Sequence, residues 1–332
     1  MISFADVVCG LAWGDEAKGK ITASLASSNI YDIVCRWAGG SNAGHTVYVK
    51  GKSYKTHAIP SGVFFGVKSL IGPGCVVHKE KFLQEIDYLS KNGFDTSLVK
   101  VSDRAHVVTD DHIARDMSEL KEKLGTTGSG IAPCYADKAA RVGKLAHECL
   151  PERFIWGSNL RGNILCEGAQ GIWLDIDWGN YPYVTSSVTL PYAACGLGIP
   201  PQKIRKIFGA AKMYDTRSGV DPLFPDRLLD DPTLAEIGEV GSEYGVTTGR
   251  RRKVNWLDLS LLVKAINMTG TTHLVMSKCD VLESVGKFCL FQEDLLMRFD
   301  SLNDMRARIC SLIESECELI EEIRFSHSPE FI

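Results

Sequence analysis

The stretch Trp13–Lys20, "WGDEAKGK", holds most of a phosphate-binding loop together with two carboxylates that such a loop does not need. Gly14, Gly19 and Lys20 satisfy G-x-x-x-x-G-K, but Ile21 stands where the pattern places a magnesium-ligating Ser or Thr. Glycines let backbone N–H groups approach a phosphate, and a helix starting behind them adds positive potential. Lys18 and Lys20 supply cations. Asp15 has the chemistry of a magnesium ligand or of a proton acceptor. The plainer alternative is a solvated loop of mixed charge.

Four further stretches could do chemistry. "GGSNAGHT", residues 39–46, presents Asn42 and His45 in a loop too rich in glycine for a core strand, and His can act as acid or base near neutral pH. "GVTTGRRRKVNW", residues 245–256, has two threonines and four consecutive cations. Arginine forks match carboxylates and phosphates. A basic run at a helix start is unfavourable, which suggests a field kept for an anionic ligand. "SKCD", residues 277–280, follows an apolar run and is similar to the [N/T]-K-x-D pattern with which GTP-binding proteins read guanine. "YPYVTSS", residues 181–187, combines Thr185 and two serines with aromatics expected to fill the core.

These stretches need a frame that brings them together. "ADVVCGLAW", residues 5–13, reads as a strand buried on both faces. A helix over 20–28 and a strand over 31–37 follow. "VYVKGKSYKTHAIP" reads as a hairpin turning at Lys-Gly-Lys, and residues 79–91 and 110–123 have helical spacing. "NILCEGAQG", "IRKIFGAAKMY" and "THLVMSKCD" read as strands, while 256–266 and 301–317 read as helices. Alternating strands and helices predict an α/β fold: a single large domain over residues 1–332, built on a mostly parallel sheet flanked by helices, to which the near-complete phosphate loop and "SKCD" add the expectation of a P-loop-like GTP-binding architecture. The polar motifs fall at strand ends, the edge at which open α/β sheets bind ligands.

The 332 residues carry a net charge of −4, so bulk electrostatics do not favour nucleic acid. No apolar run approaches a membrane span, and the first residues do not read as a secretion signal. Eleven cysteines, none in C-x-x-C spacing, read as reduced core thiols of a cytoplasmic protein, in the host cytoplasm if the source is viral.

Taken in order, "WGDEAKGK", "GGSNAGHT", "IPSGV", "GTTGSGIAP", "EGAQG", "DIDWGNYPYVTSS", "TTGRRRKVNWLDL" and "SKCDVL" resemble the adenylosuccinate synthetases over most of the chain. That family is a C–N bond-forming ligase of purine nucleotide biosynthesis, joining L-aspartate to IMP with GTP and Mg²⁺. The resemblance implies that Asp15 takes the purine N1 proton, that the six-position oxygen attacks the γ-phosphate, and that His45 acts as an acid on the transferring group. It implies Asp15 and the Gly44 carbonyl as metal ligands. It implies GTP contacts at Gly14, Glu16, Lys18, Gly19, Lys20, Gly44, Thr46, Lys278, Asp280 and Ser326. Asn42, Thr127, Gln170 and Thr185 would hold the purine monophosphate, with Arg141 reaching in from the other chain of a homodimer. Thr247, Thr248, Arg250 and Arg252 would bind aspartate.

The chain departs from the pattern in places. Ala17 stands where the family has Gly, and a methyl there crowds the loop or demands φ < 0. "SHSPE" replaces the C-terminal segment that touches guanine, and the regions between Leu145 and Glu167 and after Leu282 are trimmed. Viral relatives of the family use dGMP instead of IMP but often carry Ser at the position of Asp15, so Asp15 favours IMP. A GTPase-like switch protein is the reading outside the family, and Ile21 argues against it.

Overall fold

The computed structural model describes residues 1–224, 231–245, 249–328, 330 and 332. Its central sheet contains nine strands, in chain order β1 (Ile2–Gly10), β2 (Ile33–Arg36), β3 (Lys68–Ile71), β4 (Val99–Ser102), β5 (Ile155–Trp156), β6 (Gly162–Glu167), β7 (Ile204–Lys212), β8 (His273–Ser277) and β9 (Glu322–Phe325). Across the sheet the order is β9-β8-β7-β1-β6-β2-β3-β4-β5, and every neighbouring pair is parallel. The mostly parallel sheet with flanking helices expected from the sequence is therefore present.

β1 lies at the centre because both of its faces are apolar. Ala5, Val7, Val8 and Cys9 are buried, each contributing on the order of 1–3 kcal/mol. Asp6 is buried among them, and its carboxylate accepts from Arg205, the Lys206 N–H and the Tyr31 hydroxyl. That carboxylate pins β1 to β7. Since the sheet is parallel, β1, β2, β6, β7 and β8 all deliver their C-terminal ends to one edge. The chain runs from β1 out to one wing and returns past it to the other, the arrangement that opens a crevice at strand tips.

A second sheet packs beside the first, formed by Tyr214–Arg217, Lys253–Asp258, Phe288–Gln292 and Leu295–Phe299. One core cluster joins the two sheets through Leu11, Trp173, Trp256 and the helices Leu259–Thr269 and Leu302–Glu316. The expected hairpin is seen at His45–Val49 and Lys52–Thr56, with Lys50 and Gly51 both at positive φ.

Two local readings need correction. β1 stops at Gly10 rather than running to Trp13, which frees the next residues for the loop. Residues 253–258 form a strand, and the helix begins only at Leu259, with Asp258 accepting from the Leu261 N–H as its cap. The basic run therefore precedes a strand, and the helix-dipole argument for its cost does not apply. The helix read over 110–123 runs unbroken over 110–124, with one wider turn over Asp116–Leu120, where the buried Asp116 carboxylate takes the Thr126 hydroxyl and the Gly130 N–H. All eleven cysteines are free, and eight of them are buried. Among the described residues no helix is long and apolar enough to cross a membrane.

Candidate active site

The loop after β1 is shaped from inside by Glu16. Its carboxylate is buried and accepts from the backbone N–H groups of Ala12 (3.1 Å) and Gly14 (2.7 Å) and from Lys18 Nζ (2.5 Å). The residue that the resemblance implies as a GTP contact thus faces away from the cleft and braces the loop. Asp15 and Ala17 both adopt left-handed backbone, at φ 64° and 67°. Ala17 does not demand φ < 0; it accepts strain of about 1 kcal/mol. The Lys18–Ala26 helix follows, presenting its N-terminal amides to the cleft. A Cβ on Gly19 would lie 2.9 Å from the Cβ of His45, so only glycine allows the helix start and the second loop to approach this closely.

His45 is buried between Glu167 at the tip of β6 and Arg36 at the tip of β2. Nδ1 hydrogen-bonds Glu167 Oε1, and Arg36 Nη2 lies 3.0 Å from Nε2. Glu167 also accepts from the Ser61 N–H (2.7 Å). Burial, then the Arg36 guanidinium, hold the His45 pKa below its usual value, so the neutral ring is favoured. Burial would raise the Glu167 carboxyl, but His45 and Arg36 bring it down to about 2.

A further part of the wall is braced by Glu243, which is fully buried. It accepts from Lys212 Nζ (2.9 Å), Tyr214 Oη (2.7 Å) and Arg252 Nη1 (2.5 Å), with Lys278 Nζ 3.8 Å away. Burial opposes its charge, but Lys212, Arg252 and Lys278 hold its carboxyl down at about 2. Arg252 Nε also lies 2.8 Å from Asp15 Oδ2, so one guanidinium spans two carboxylates. Lys20 donates to Ser326 Oγ (2.8 Å) and to the Ser328 carbonyl (2.9 Å), joining the C-terminal segment to the loop. Burial draws the Lys20 ammonium down to about 8 against the pull of Asp280.

These walls enclose a cleft of about 670 Å³. Gly14, Asp15, Lys18, Gly19, Lys20, Asn42, Gly44, His45, Thr46, Thr127, Gln170, Thr185, Arg252, Lys278 and Asp280 all line it. Glu16 and Ser326 stand behind the lining, as braces. Arg250 approaches the Gly125 carbonyl at 3.4 Å on an exposed edge. Arg141 caps the C-terminus of the Ile131–Ala140 helix at φ 66° and lies outside the lining. Thr247 and Thr248 fall outside the described residues. The aromatics of "YPYVTSS" are not core filler: Tyr181 is 76% exposed, and Tyr181 and Tyr183 both line the cleft. The segment is instead held by the buried Arg217, which donates to the Tyr183 carbonyl (2.9 Å).

Several site residues escaped sequence reasoning. Glu167 had a signal, a carboxylate closing an apolar strand within "EGAQG". Arg36 had the same signal in "DIVCR". Lys212 had it too, at the end of the strand "IRKIFGAAK", whereas Ser218, whose hydroxyl donates to Asp15 (3.4 Å), and Glu243 had none, since their partners are distant in sequence. Asn42 Oδ1, Gln170 Oε1 and Ser277 Oγ are buried and have no protein partner among the described residues, which marks them as groups waiting for a ligand.

A family model for adenylosuccinate synthetase matches residues 7–161 and 152–290. Adenylosuccinate synthetases from Brevibacillus brevis and Lysinibacillus sphaericus are 40% and 37% identical over 337 residues, 84% of this chain and 78% of each relative. The Lactococcus lactis subsp. cremoris enzyme is 38% identical over 347 residues, 86% of this chain and 80% of its own. The fully ligated adenylosuccinate synthetase from Plasmodium falciparum superposes with a TM-score of 0.82 at 26% identity, covering 98% of both chains. A cyanophage S-2L succinoaminodeoxyadenylate synthetase, bound to dGMP and dATP, superposes at 0.76 over 99% of this chain and 94% of its own, but at 19% identity that likeness concerns the fold alone. By sequence over most of its length, and with a fold to match, the chain belongs to the adenylosuccinate synthetase family.

Proposed function

We propose that this chain joins L-aspartate to IMP with GTP, giving adenylosuccinate, GDP and phosphate by way of a 6-phosphoryl intermediate. The observation that carries this reading is the convergence of Asp15, His45, Arg252, Lys278 and Asp280 on one cleft in a member of this family. Asp15 takes the N1 proton, which turns the six-position oxygen into a nucleophile towards the γ-phosphate. His45, oriented by the ionised Glu167, hydrogen-bonds the transferring group. The aspartate amine then displaces phosphate from the activated carbon. Asn42, Thr127, Gln170 and Thr185 hold the purine monophosphate, and the unpartnered oxygens of Asn42 and Gln170 suit that role. Arg250 and Arg252, with Thr247 and Thr248, take the aspartate carboxylates. Lys278 and Asp280 read guanine, with Lys20 and Ser326 closing that end.

Among the described residues no three His, Cys, Asp or Glu side chains form a metal cluster. Asp15 and Gly44 line the same cleft, and a single carboxylate there nonetheless suits Mg²⁺, which is commonly held by one or two carboxylates together with substrate phosphates. Asp15 and Gly44 would hold the ion, which when bound neutralises charge on the phosphates.

The chain works as one domain over residues 1–332, in the cytoplasm, and as a homodimer in which Arg141 reaches the neighbouring monophosphate. Phosphate release measured with each substrate omitted tests the activity, with IMP, GMP and dGMP compared as acceptors and GTP and ATP as donors. Release that needs GTP, IMP and aspartate together supports the reading, and release from GTP alone overturns it. Preference for dGMP would move the substrate, not the chemistry. Mixing Arg141→Leu chains with Asp15→Ala chains tests the shared site: activity returns in hybrid dimers, and no rescue counts against it.

A further inference from the structure

Glu243 has no part in the chemistry described so far, yet it gathers cations from three separate segments. Lys212 comes from the end of β7, Arg252 from the basic run and Lys278 from the tip of β8. Lys212 and Tyr214 do not line the cleft, whereas Arg252 and Lys278 do. The carboxylate is thus anchored from the core by a lysine and a phenol, and its remaining capacity is turned towards two cations that face the ligand space. The backbone adds to the link: the Arg252 N–H donates to the Glu243 carbonyl at 2.9 Å, and the Glu243 N–H to the Gly238 carbonyl at 2.9 Å.

The three arginines of the run show what this anchoring does. Arg251 is half exposed and lies 3.5 Å from Glu239, itself exposed. Arg250 reaches across to the Gly125 carbonyl at 3.4 Å. Arg252 is 9% exposed, with Nη1 on Glu243 and Nε beside Asp15. The Nη1 hydrogen bond to Glu243 and the ion pair of Nε with Asp15 hold the guanidinium in place, and a bidentate partner for a carboxylate benefits from being placed in advance. Arg252 and Lys278 are the members of the network that reach the cleft, with Asp15 beside the first and Asp280 lining the same cleft.

We propose that Glu243 is a positioning residue for the amino-acid substrate: its buried carboxylate holds Arg252 ready for the aspartate carboxylate and ties it to Lys278 at the donor-base end. This rests on the reading of Arg252 as an aspartate contact. The measurement is steady-state kinetics of Glu243→Gln, with Lys212→Met/Glu243→Gln beside it. The double variant removes the buried charge pair together and so keeps the kinetics readable should the single variant fail to fold. In either variant the KM for aspartate rises about tenfold or more, kcat falls by less than KM rises, and the KM for IMP stays near wild type. The KM for GTP moves less than that for aspartate, because Lys278 lies 3.8 Å from the carboxylate and Arg252 lies 2.5 Å away. A lowered melting temperature with an unchanged aspartate KM would make Glu243 merely structural and overturn the proposal. Wild-type turnover that is independent of aspartate would overturn the functional reading as well, so the two failures are told apart by the wild-type control.

Discussion

Two buried carboxylates stand behind the lining of the cleft, and they brace their loops in opposite ways. Glu16 is satisfied by neighbours two and four residues away, two of them backbone N–H groups. Glu243 takes side chains 9, 29 and 31 residues away, two of them cations. The first arrangement sets a loop's shape from its own chain, so the glycine-rich wall is complete once β1 and the following helix are docked. The second exists only when β7, β8 and the basic run have all arrived. It also holds Arg252 and Lys278, cations that an anionic substrate would use. A brace of backbone amides keeps its shape whatever binds, whereas a brace of ligand-facing cations is open to influence from the ligand. Asp15 joins the two systems, standing in the first loop and pairing with Arg252 of the second.

The comparison can be broken most severely at that joint. Asp15→Ala is expected to lower turnover by about 10³-fold or more, the range for removing a general base, while the melting temperature stays near wild type. Near-normal turnover would remove Asp15 from the chemistry. Glu16→Ala should act on stability first. It leaves Lys18 buried without its partner and two loop amides unmet, a loss of about 3–5 kcal/mol in a denaturant titration. A loss under about 1 kcal/mol would mean that Glu16 does not brace the loop. Arg250→Leu should raise the aspartate KM by about tenfold with little change for GTP, and an unchanged aspartate KM would remove that arginine from the amino-acid end.

Smaller effects sharpen the picture. The folded-state pKa of His45 is depressed, so the unfolded chain binds its proton more readily. The stability contributed by the neutral ring is full above about pH 6.5 and is lost as pH falls below that value towards the folded pKa. His45→Gln should flatten that limb of the stability-against-pH curve, and an unaltered limb would contradict the burial argument. Smallest of all, Ala17→Gly should stabilise the protein by about 1 kcal/mol at most, since glycine relieves the φ of 67° but adds freedom to the unfolded chain. Equal melting curves would show that the neighbouring contacts already absorb the strain.

Much of the site was legible in the sequence because its motifs are local. "WGDEAKGK", "GGSNAGHT" and "SKCD" each hold their chemistry within eight residues, and apolar strands before them announce strand tips. Errors arose where one signal served two structures. "WLDLSLLVKAI" has helical spacing throughout, yet its first three residues belong to a strand because sheet pairing, of Trp256 with Tyr214 and of Leu257 and Asp258 with Leu290 and Phe291, overrides local periodicity. The aromatics of "YPYVTSS" looked like core residues, since hydrophobicity does not reveal which side of a wall a ring occupies. Glu16 looked like a phosphate contact because its sequence position is in the loop, while its side chain points behind it.

By itself the sequence determined the α/β class, the family, the residues of the phosphate loop and the nature of the chemistry, because backbone flexibility, charge and strand burial are properties of short segments. Only the tertiary structure decided which carboxylate faces the cleft and which braces the loop, that Arg252 rather than Arg251 turns inward, and that Lys212, Tyr214, Arg252 and Lys278 share Glu243. The physical reason is burial. A charge withdrawn from water must find its partner wherever the fold places one, and that partner can stand thirty residues away with no trace in the local pattern.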